Sequence, residues 1–165
     1  MDKTGNTSND DNSNFRGQNA VVLGIEGSQT SIKNSNITSS SIGSNAVFAT
    51  EGAHSATLAT DRGEGTITAE AAKLVTSGEG SPVIYSTGNI MVNNVNGIAN
   101  NSEIGVVEGK NSITLTNSNV TGYKDNGFIL YQSFSGDSYV KSLTNTDTTG
   151  ENIHLNGYKL VVADK

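Results

Sequence analysis

A short apolar segment followed by a glycine-containing turn returns along this chain at a nearly constant interval. The clearest copies start at residues 55, 81, 102 and 126, so successive starts lie 26, 21 and 24 residues apart. The copies read NAVVLGIEG (19–27), SATLATDRG (55–63), SPVIYSTG (81–88), SEIGVVEG (102–109) and NGFILYQS (126–133). This interval is typical of one coil of a β-solenoid, in which three short strands and three turns make one circuit.

The composition favours the same architecture. Only 33% of the residues are hydrophobic and 5% aromatic, whereas Ser, Asn, Thr and Gly together make up 78 of the 165 residues. Each coil of a solenoid needs only a few small apolar residues, so this composition suffices for a thin continuous core. Disorder is disfavoured because the chain has a single Pro and recurring β-branched clusters. We therefore predict an all-β fold, a right-handed parallel β-helix (β-solenoid) with a C-terminal β cap.

A second repeat predicts the register of the coils. The segment TSIKNSNIT (30–38) aligns with ITLTNSNVT (113–121), which places Asn34, Asn94 and Asn117 in one column of turn residues. Two explanations remain open: the amides bond to one another as a ladder, or Asn is there because it tolerates the left-handed conformation. The same alignment places Ser31, Thr68, Met91 and Thr114 in one column, which interrupts any threonine line of the ice-binding type.

The chain divides into three parts. Residues 1–18 form a polar N-terminal lead-in, 19–137 the β-helix coils, and 138–165 the terminal coil and cap. Strands are expected in SYVKSL (138–143) and NGYKLVV (156–162), and AEAAKLV (69–75) is expected to be strand and turn rather than helix.

One segment interrupts the repeat. NAVFATEG (45–52) begins like a coil only ten residues before SATLATDRG. Either 45–54 is a partial coil with a bulge, or a coil's worth of sequence is missing there.

Charge and hydropathy exclude two classes of partner. The formal net charge is −6 and no basic stripe is present, so we expect no nucleic-acid binding. No apolar run approaches the ~20 residues of a membrane span, so we expect no membrane insertion. The N-terminal segment MDKTGNTSNDDNSNFRGQ lacks the apolar centre of a signal peptide. If the parent protein is exported, we expect this form to have lost its signal.

Several longer stretches carry a resemblance to a known group of proteins. They are DKTGNTSNDDNSNFRGQNAVVL, HSATLATDRGEGTITA, SGEGSPVIYSTGNI, VVEGKNSITL, GFILYQSFSGD and GDSYVKSLTNTD, with NGYKL near the end. At these motifs the chain resembles bacterial extracellular β-helix proteins described as carbohydrate-binding or adhesin-like. The resemblance implies a right-handed parallel β-helix, export, and an extracellular or cell-surface location. Because family members look longer at 50–53 and 135–138, the chain resembles a shortened, even engineered, member.

Charged residues are expected to form a line along one edge of the coils, since stacked coils lie ~4.8 Å apart. Within it, Arg62 and Lys110 would hold acidic sugars, and the carboxylates would hold calcium. The alternative is a solvated edge with ion pairs worth ~0–1 kcal/mol. The expected line consists of Asp61, Arg62, Glu64, Glu108 and Lys110, with Glu26 and Gln132 at comparable turns.

Two tyrosines are candidate sugar-binding residues. Tyr85 and Tyr131 fall in segments that the repeat aligns as equivalent strands of neighbouring coils. Exposed aromatic rings stack on sugars, and the alternative is that both rings pack within the solenoid.

These observations favour a non-catalytic extracellular or cell-surface module that binds a polysaccharide, a cell-surface glycan or another surface, as adhesins do. One alternative is a purely structural or engineered, shortened scaffold without a ligand, and another is a polysaccharide lyase-like enzyme. Catalysis is disfavoured because Asp61 and Glu64, the only close carboxylates in a coil motif, share one short turn. No cofactor other than calcium is expected. We expect a monomer or an edge-paired dimer.

Overall fold

The structure is a computed structural model that describes residues 1–4, 17–50, 65–108, 112–123, 128–132, 139–144, 147–149 and 160–164. These ranges contain β-strands and turns, and none of their segments is a helix able to cross a membrane. The strands are β1 (Asp2–Lys3), β2 (Val22–Ile25), β3 (Gln29–Lys33), β4 (Asn36–Ser39), β5 (Val47–Thr50), β6 (Thr66–Glu70), β7 (Lys73–Thr76), β8 (Ile84–Thr87), β9 (Asn89–Asn93), β10 (Asn96–Ala99), β11 (Gly105–Glu108), β12 (Ser112–Thr116), β13 (Asn119–Gly122), β14 (Phe128–Gln132), β15 (Tyr139–Thr144), β16 (Asp147–Thr149) and β17 (Leu160–Asp164).

The strands form three parallel sheets. Sheet A has the order β1-β4-β7-β10-β13-β16, sheet B the order β2-β5-β8-β11-β14-β17, and sheet C the order β3-β6-β9-β12-β15. Each circuit of the chain therefore adds one strand to each sheet, and every strand inside a sheet pairs with its equivalents in the circuits before and after. Five such circuits run from β2 to β16. This arrangement confirms the all-β parallel solenoid.

The register of the coils agrees with the internal repeat. In sheet C, Ser31 pairs with Thr68, Thr68 with Met91, and Met91 with Thr114, which confirms the predicted column. The segment 69–75 is strand and turn, as expected. Strands also occur in both predicted C-terminal segments, as β15 and β17.

The predicted start of the second coil is wrong. β5 lies between β2 and β8 in sheet B, so this coil begins in NAVFATEG and not at residue 55. Both segments contain the pattern A-x-x-A-T, and only the pairing of β5 with its neighbours distinguishes them. Residues 55–63 lie outside the described residues. The predicted boundary at 137/138 separates β14 from β15, which belong to the same circuit.

The main core fills the space that the three sheets enclose. In the strands whose side chains the structure describes, alternate residues point inward, and the inward column Ile67, Ile90 and Ile113 in sheet C is fully buried. In sheet B, Val47, Ala49 and Ile84 belong to the same cluster. Small and β-branched side chains therefore suffice for the core, as the composition predicts.

Candidate ligand-binding face

A column of left-handed turn residues marks the corner between sheets C and A. It consists of Asn34, Ala71, Asn94 and Asn117, whose φ angles are 48°, 50°, 53° and 47°. The backbone N–H groups of Asn34, Ala71 and Asn94 donate to the carbonyls of the next coil at 3.0 to 3.1 Å. The predicted Asn column is thus confirmed, and its left-handed geometry explains the preference for Asn. A continuous amide ladder is excluded, because Ala71 stands between Asn34 and Asn94.

A second column lies two residues further along each coil, at the start of the sheet A strands. Asn36, Lys73, Asn96 and Asn119 pair in direct register, and all four are exposed. Equivalent backbone hydrogen bonds hold each rung after the first against the coil before it. The N–H groups of Lys73, Asn96 and Asn119 each donate to a carbonyl of the preceding coil at 2.9 Å. The column is therefore a regular row that runs along the solenoid axis.

The two columns border a groove with a volume of about 360 Å³. Three buried residues, Ala72, Val95 and Ser118, lie in the column between them. The Ser118 hydroxyl donates to the Thr116 carbonyl at 2.8 Å and accepts from the Val95 N–H at 3.1 Å. We call this the amide groove. Its lining residues are Asn36, Ala71, Ala72, Lys73, Asn94, Val95, Asn96, Asn117 and Asn119.

The amide groove presents neutral hydrogen-bonding groups at a regular spacing. Three of its four described rungs carry Asn in both columns, and the remaining rung carries Ala71 and Lys73. Each Asn amide has two donor hydrogens and a carbonyl acceptor. Adjacent rungs lie ~4.8 Å apart. Such a row can bond to the hydroxyl groups of a ligand, which also both donate and accept.

The outer face of sheet A extends the groove with less polar side chains. Next to the exposed Asn column runs a half-buried column of four β-branched residues, Thr38, Val75, Ile98 and Thr121. Beyond it, the N–H of Asn100 donates to the Thr76 carbonyl at 2.9 Å, and that of Tyr123 donates to the Ala99 carbonyl at 3.1 Å. Tyr123 is 67% exposed. The face therefore combines an amide row, an apolar stripe and an accessible aromatic ring.

Of the five residues in the charged line predicted from the sequence, the structure describes only Glu108. Asp61, Arg62, Glu64 and Lys110 lie outside the described residues. Glu108 is the last residue of β11 and pairs with Tyr131. Gln132, at the end of β14, lies one residue beyond the position that pairs with Glu108. Among the described residues, no group of three His, Asp or Glu side chains is arranged to hold a metal ion. A calcium site at Asp61, Glu64 and Glu108 stays a prediction.

The two predicted tyrosines occupy different environments. Tyr85 is only 5% exposed and stacks on Phe48, with ring centroids 4.4 Å apart and planes inclined by 7°. Both rings belong to a small second cluster with Val106, separate from the main core. The packing alternative is therefore confirmed for Tyr85. Tyr131 lies in β14 of the same sheet, so the two strands are equivalent as predicted, but β11 lies between them and their coils are not neighbours. The two tyrosines are also out of register, because Tyr85 pairs with Val106, which pairs with Ile129.

Sequence reasoning missed most of the groove. It found the turn column but not Asn36, Asn96 and Asn119, nor the exposed ring of Tyr123. A signal was present, since Asn-x-Asn occurs at 34–36, 94–96 and 117–119. Once the register of the coils is known, this spacing places two Asn side chains on each of these three rungs.

No family model, curated protein or solved structure matches the chain. The resemblance to bacterial carbohydrate-binding or adhesin-like β-helix proteins therefore stays a prediction.

Proposed function

We propose that the chain is a non-catalytic, extracellular or cell-surface solenoid module that binds a glycan along the amide groove. The proposal is carried by one observation, the two exposed Asn residues on each of three rungs in register. Asn side chains match the hydrogen-bonding pattern of sugar hydroxyls, which also donate and accept. The repeated rungs would provide several equivalent contacts to one ligand.

The neighbouring apolar stripe supports the same proposal. Sugar rings have apolar C–H faces as well as hydroxyl edges, and the Val75 and Ile98 side chains lie next to the amide row on sheet A. Of the described residues that line the groove, only Lys73 is ionisable. Glycoside cleavage by the common mechanism requires a pair of positioned carboxyl groups, which this lining does not contain. The groove is thus suited to hold a glycan without cleaving it.

Two finer features of the fold are part of the proposal. We propose right-handed coils, because crossover connections between parallel strands of one sheet are right-handed in about 98% of cases. We also propose that the C-terminal segment caps the solenoid. It is supported by β17, which continues sheet B beyond β14, near the end of the chain. A cap would shield the last rung from edge-to-edge association.

A glycan array probed with the wild-type chain and a double variant tests the proposal. Asn96→Ala with Asn119→Ala removes two exposed amides from strand positions, whereas substitution of Asn94 or Asn117 would also disturb a left-handed turn. We expect the double variant to bind the selected glycan about 30-fold more weakly, since a neutral hydrogen bond contributes ~1 kcal/mol.

The matched control is Gln29→Ala, which removes an exposed amide from sheet C. It should bind the glycan like the wild type, and both variants should keep the wild-type circular dichroism spectrum. If the wild type binds no glycan, or if the double variant binds as well as Gln29→Ala, the proposed function is wrong and a scaffold without a ligand becomes the better description.

A further inference from the structure

We infer that Lys73 makes the amide groove selective for a glycan with an acidic group, such as a sialic acid, a uronic acid or a sulfate ester, over its neutral counterpart. The inference rests on the proposed function and adds the class of glycan and the residue that recognises it. It is carried by the place of Lys73 in the amide row, by the missing amides on its rung and by the charges around it.

Lys73 occupies the second of the four described rungs, and the other three carry Asn at the same position. It pairs in register with Asn36 on one side and with Asn96 on the other, and it is exposed. Its backbone N–H donates to the Ser35 carbonyl at 2.9 Å, so the rung is held like its neighbours. Because adjacent rungs lie ~4.8 Å apart, a glycan unit bonded to Asn36 or Asn96 is within reach of the Lys73 ammonium group.

The second rung also differs from its neighbours in the hydrogen bonds it offers a ligand. Its other groove residue is Ala71, whose methyl group neither donates nor accepts a hydrogen bond. An Asn amide both donates and accepts, whereas a lysine ammonium group has three donor hydrogens and no acceptor. This rung therefore requires an acceptor from the ligand. A carboxylate or sulfate oxygen is a stronger acceptor than a neutral hydroxyl here, because the opposite charges attract.

The positive charge of Lys73 is not compensated by a neighbouring side chain. Of the described residues, none places a carboxylate within salt-bridge distance of its ammonium group. Glu70 lies three residues earlier in the chain, but its carboxylate is 3.1 Å from the Lys33 ammonium group. Glu70 and Lys33 thus compensate each other, and an acidic group on a ligand would meet a free positive charge at Lys73.

The charges at the two ends of the row favour the same position for an acidic group. At the first rung, the N-terminal ammonium group donates to the Asn36 carbonyl at 2.7 Å. Beyond the fourth rung, Asp147 pairs in register with Asn119. An acidic group is therefore favoured at the second rung and disfavoured beside Asn119. The net charge of −6 does not reverse this local preference, since charges further than ~8 Å away are largely screened at physiological salt.

A glycan array tests the inference if it presents each neutral glycan beside the same glycan with one sialic acid, glucuronic acid or sulfate group. We expect the wild-type chain to bind the acidic member of a pair about fivefold more tightly, which corresponds to about 1 kcal/mol for one exposed ion pair. Lys73→Asn gives the second rung the residue of its neighbours and should abolish this preference. Lys73→Arg keeps the charge and should keep the preference. Circular dichroism spectra of both variants should match that of the wild type.

The outcomes separate this inference from the proposed function. If the wild type binds neutral and acidic members equally, selection by Lys73 is wrong although glycan binding stands. The same holds if Lys73→Asn keeps the preference for acidic glycans, because the selecting charge then lies elsewhere in the chain. If the wild type binds neither member of any pair, the proposed function and this inference both fail.

Discussion

At the residue scale, the left-handed turn column explains why asparagine recurs at one position of the coil. Asn34, Asn94 and Asn117 occupy positions with φ near +50°, where Asn is tolerated better than most residues. This part of the structure could be predicted from the NSN repeat alone. The fourth member, Ala71, could not, because nothing in its local sequence indicates a positive φ; only its position in the stack imposes it.

This strain at Ala71 leads to a stability prediction. Left-handed backbone costs a non-glycine residue ~1–2 kcal/mol, and the Ala71 methyl group is exposed and adds little packing. We expect Ala71→Gly to stabilise the fold by about 1 kcal/mol and to raise Tm by ~2–4 °C in a circular dichroism melt. The control is Ala72→Gly, at a buried neighbour, which should lower Tm. A lower Tm for Ala71→Gly would show that its turn is not strained.

At the scale of single elements, the inner edge of sheet A carries buried hydroxyl groups. Thr76 Oγ1 at the end of β7 and Ser39 Oγ at the end of β4 are buried in register with each other, and neither has a hydrogen-bond partner among the described residues. Burying such a group without a partner costs about 1–3 kcal/mol. These polar ends contrast with the apolar interior of the same strands.

We expect Thr76→Val to stabilise the fold by about 1 kcal/mol, because it replaces the buried hydroxyl by a methyl group of similar size. The matched control is Thr87→Val in β8, where the hydroxyl donates to the Ala49 carbonyl at 3.2 Å; this variant should be destabilised by a similar amount. Urea unfolding of both variants measures the difference. If Thr76→Val is the less stable of the two, the Thr76 hydroxyl has a partner such as a buried water.

For single strands, a local sequence pattern does not decide which of two similar segments joins a sheet. The pattern A-x-x-A-T is present at 46–50 and at 56–60, and either copy satisfies the hydrophobic spacing of a short strand. The structure selects the first copy because Val47 pairs with both Val22 and Ile84. Pairing between distant segments decides such cases, and a local pattern contains no information about it. For the same reason the Tyr85–Phe48 stack and the exposure of Tyr123 were missed.

At the scale of the whole molecule, repetition determines both the core and the outward-facing columns. The described residues that face inward form one main core, while the outward columns repeat the same amide groups on three of the four described rungs. Each coil contacts mainly the coil before and the coil after it, as in other solenoids. The proposed binding row along the axis therefore depends on the stacking of several coils, although each amide belongs to a single coil.

This nearest-neighbour organisation predicts how far the effect of a core substitution extends along the solenoid. Ile90 is fully buried in β9, between β6 and β12, so Ile90→Ala should cost about 2–5 kcal/mol of unfolding free energy. Hydrogen exchange should accelerate most in β9 and its two neighbours, and least in β3, two rungs away. The control, Met91→Ala, changes the adjacent side chain, which is 43% exposed, and should alter stability by less than ~0.5 kcal/mol. If Ile90→Ala instead accelerates hydrogen exchange uniformly along the chain, the coils unfold together as one cooperative unit and the nearest-neighbour description is wrong.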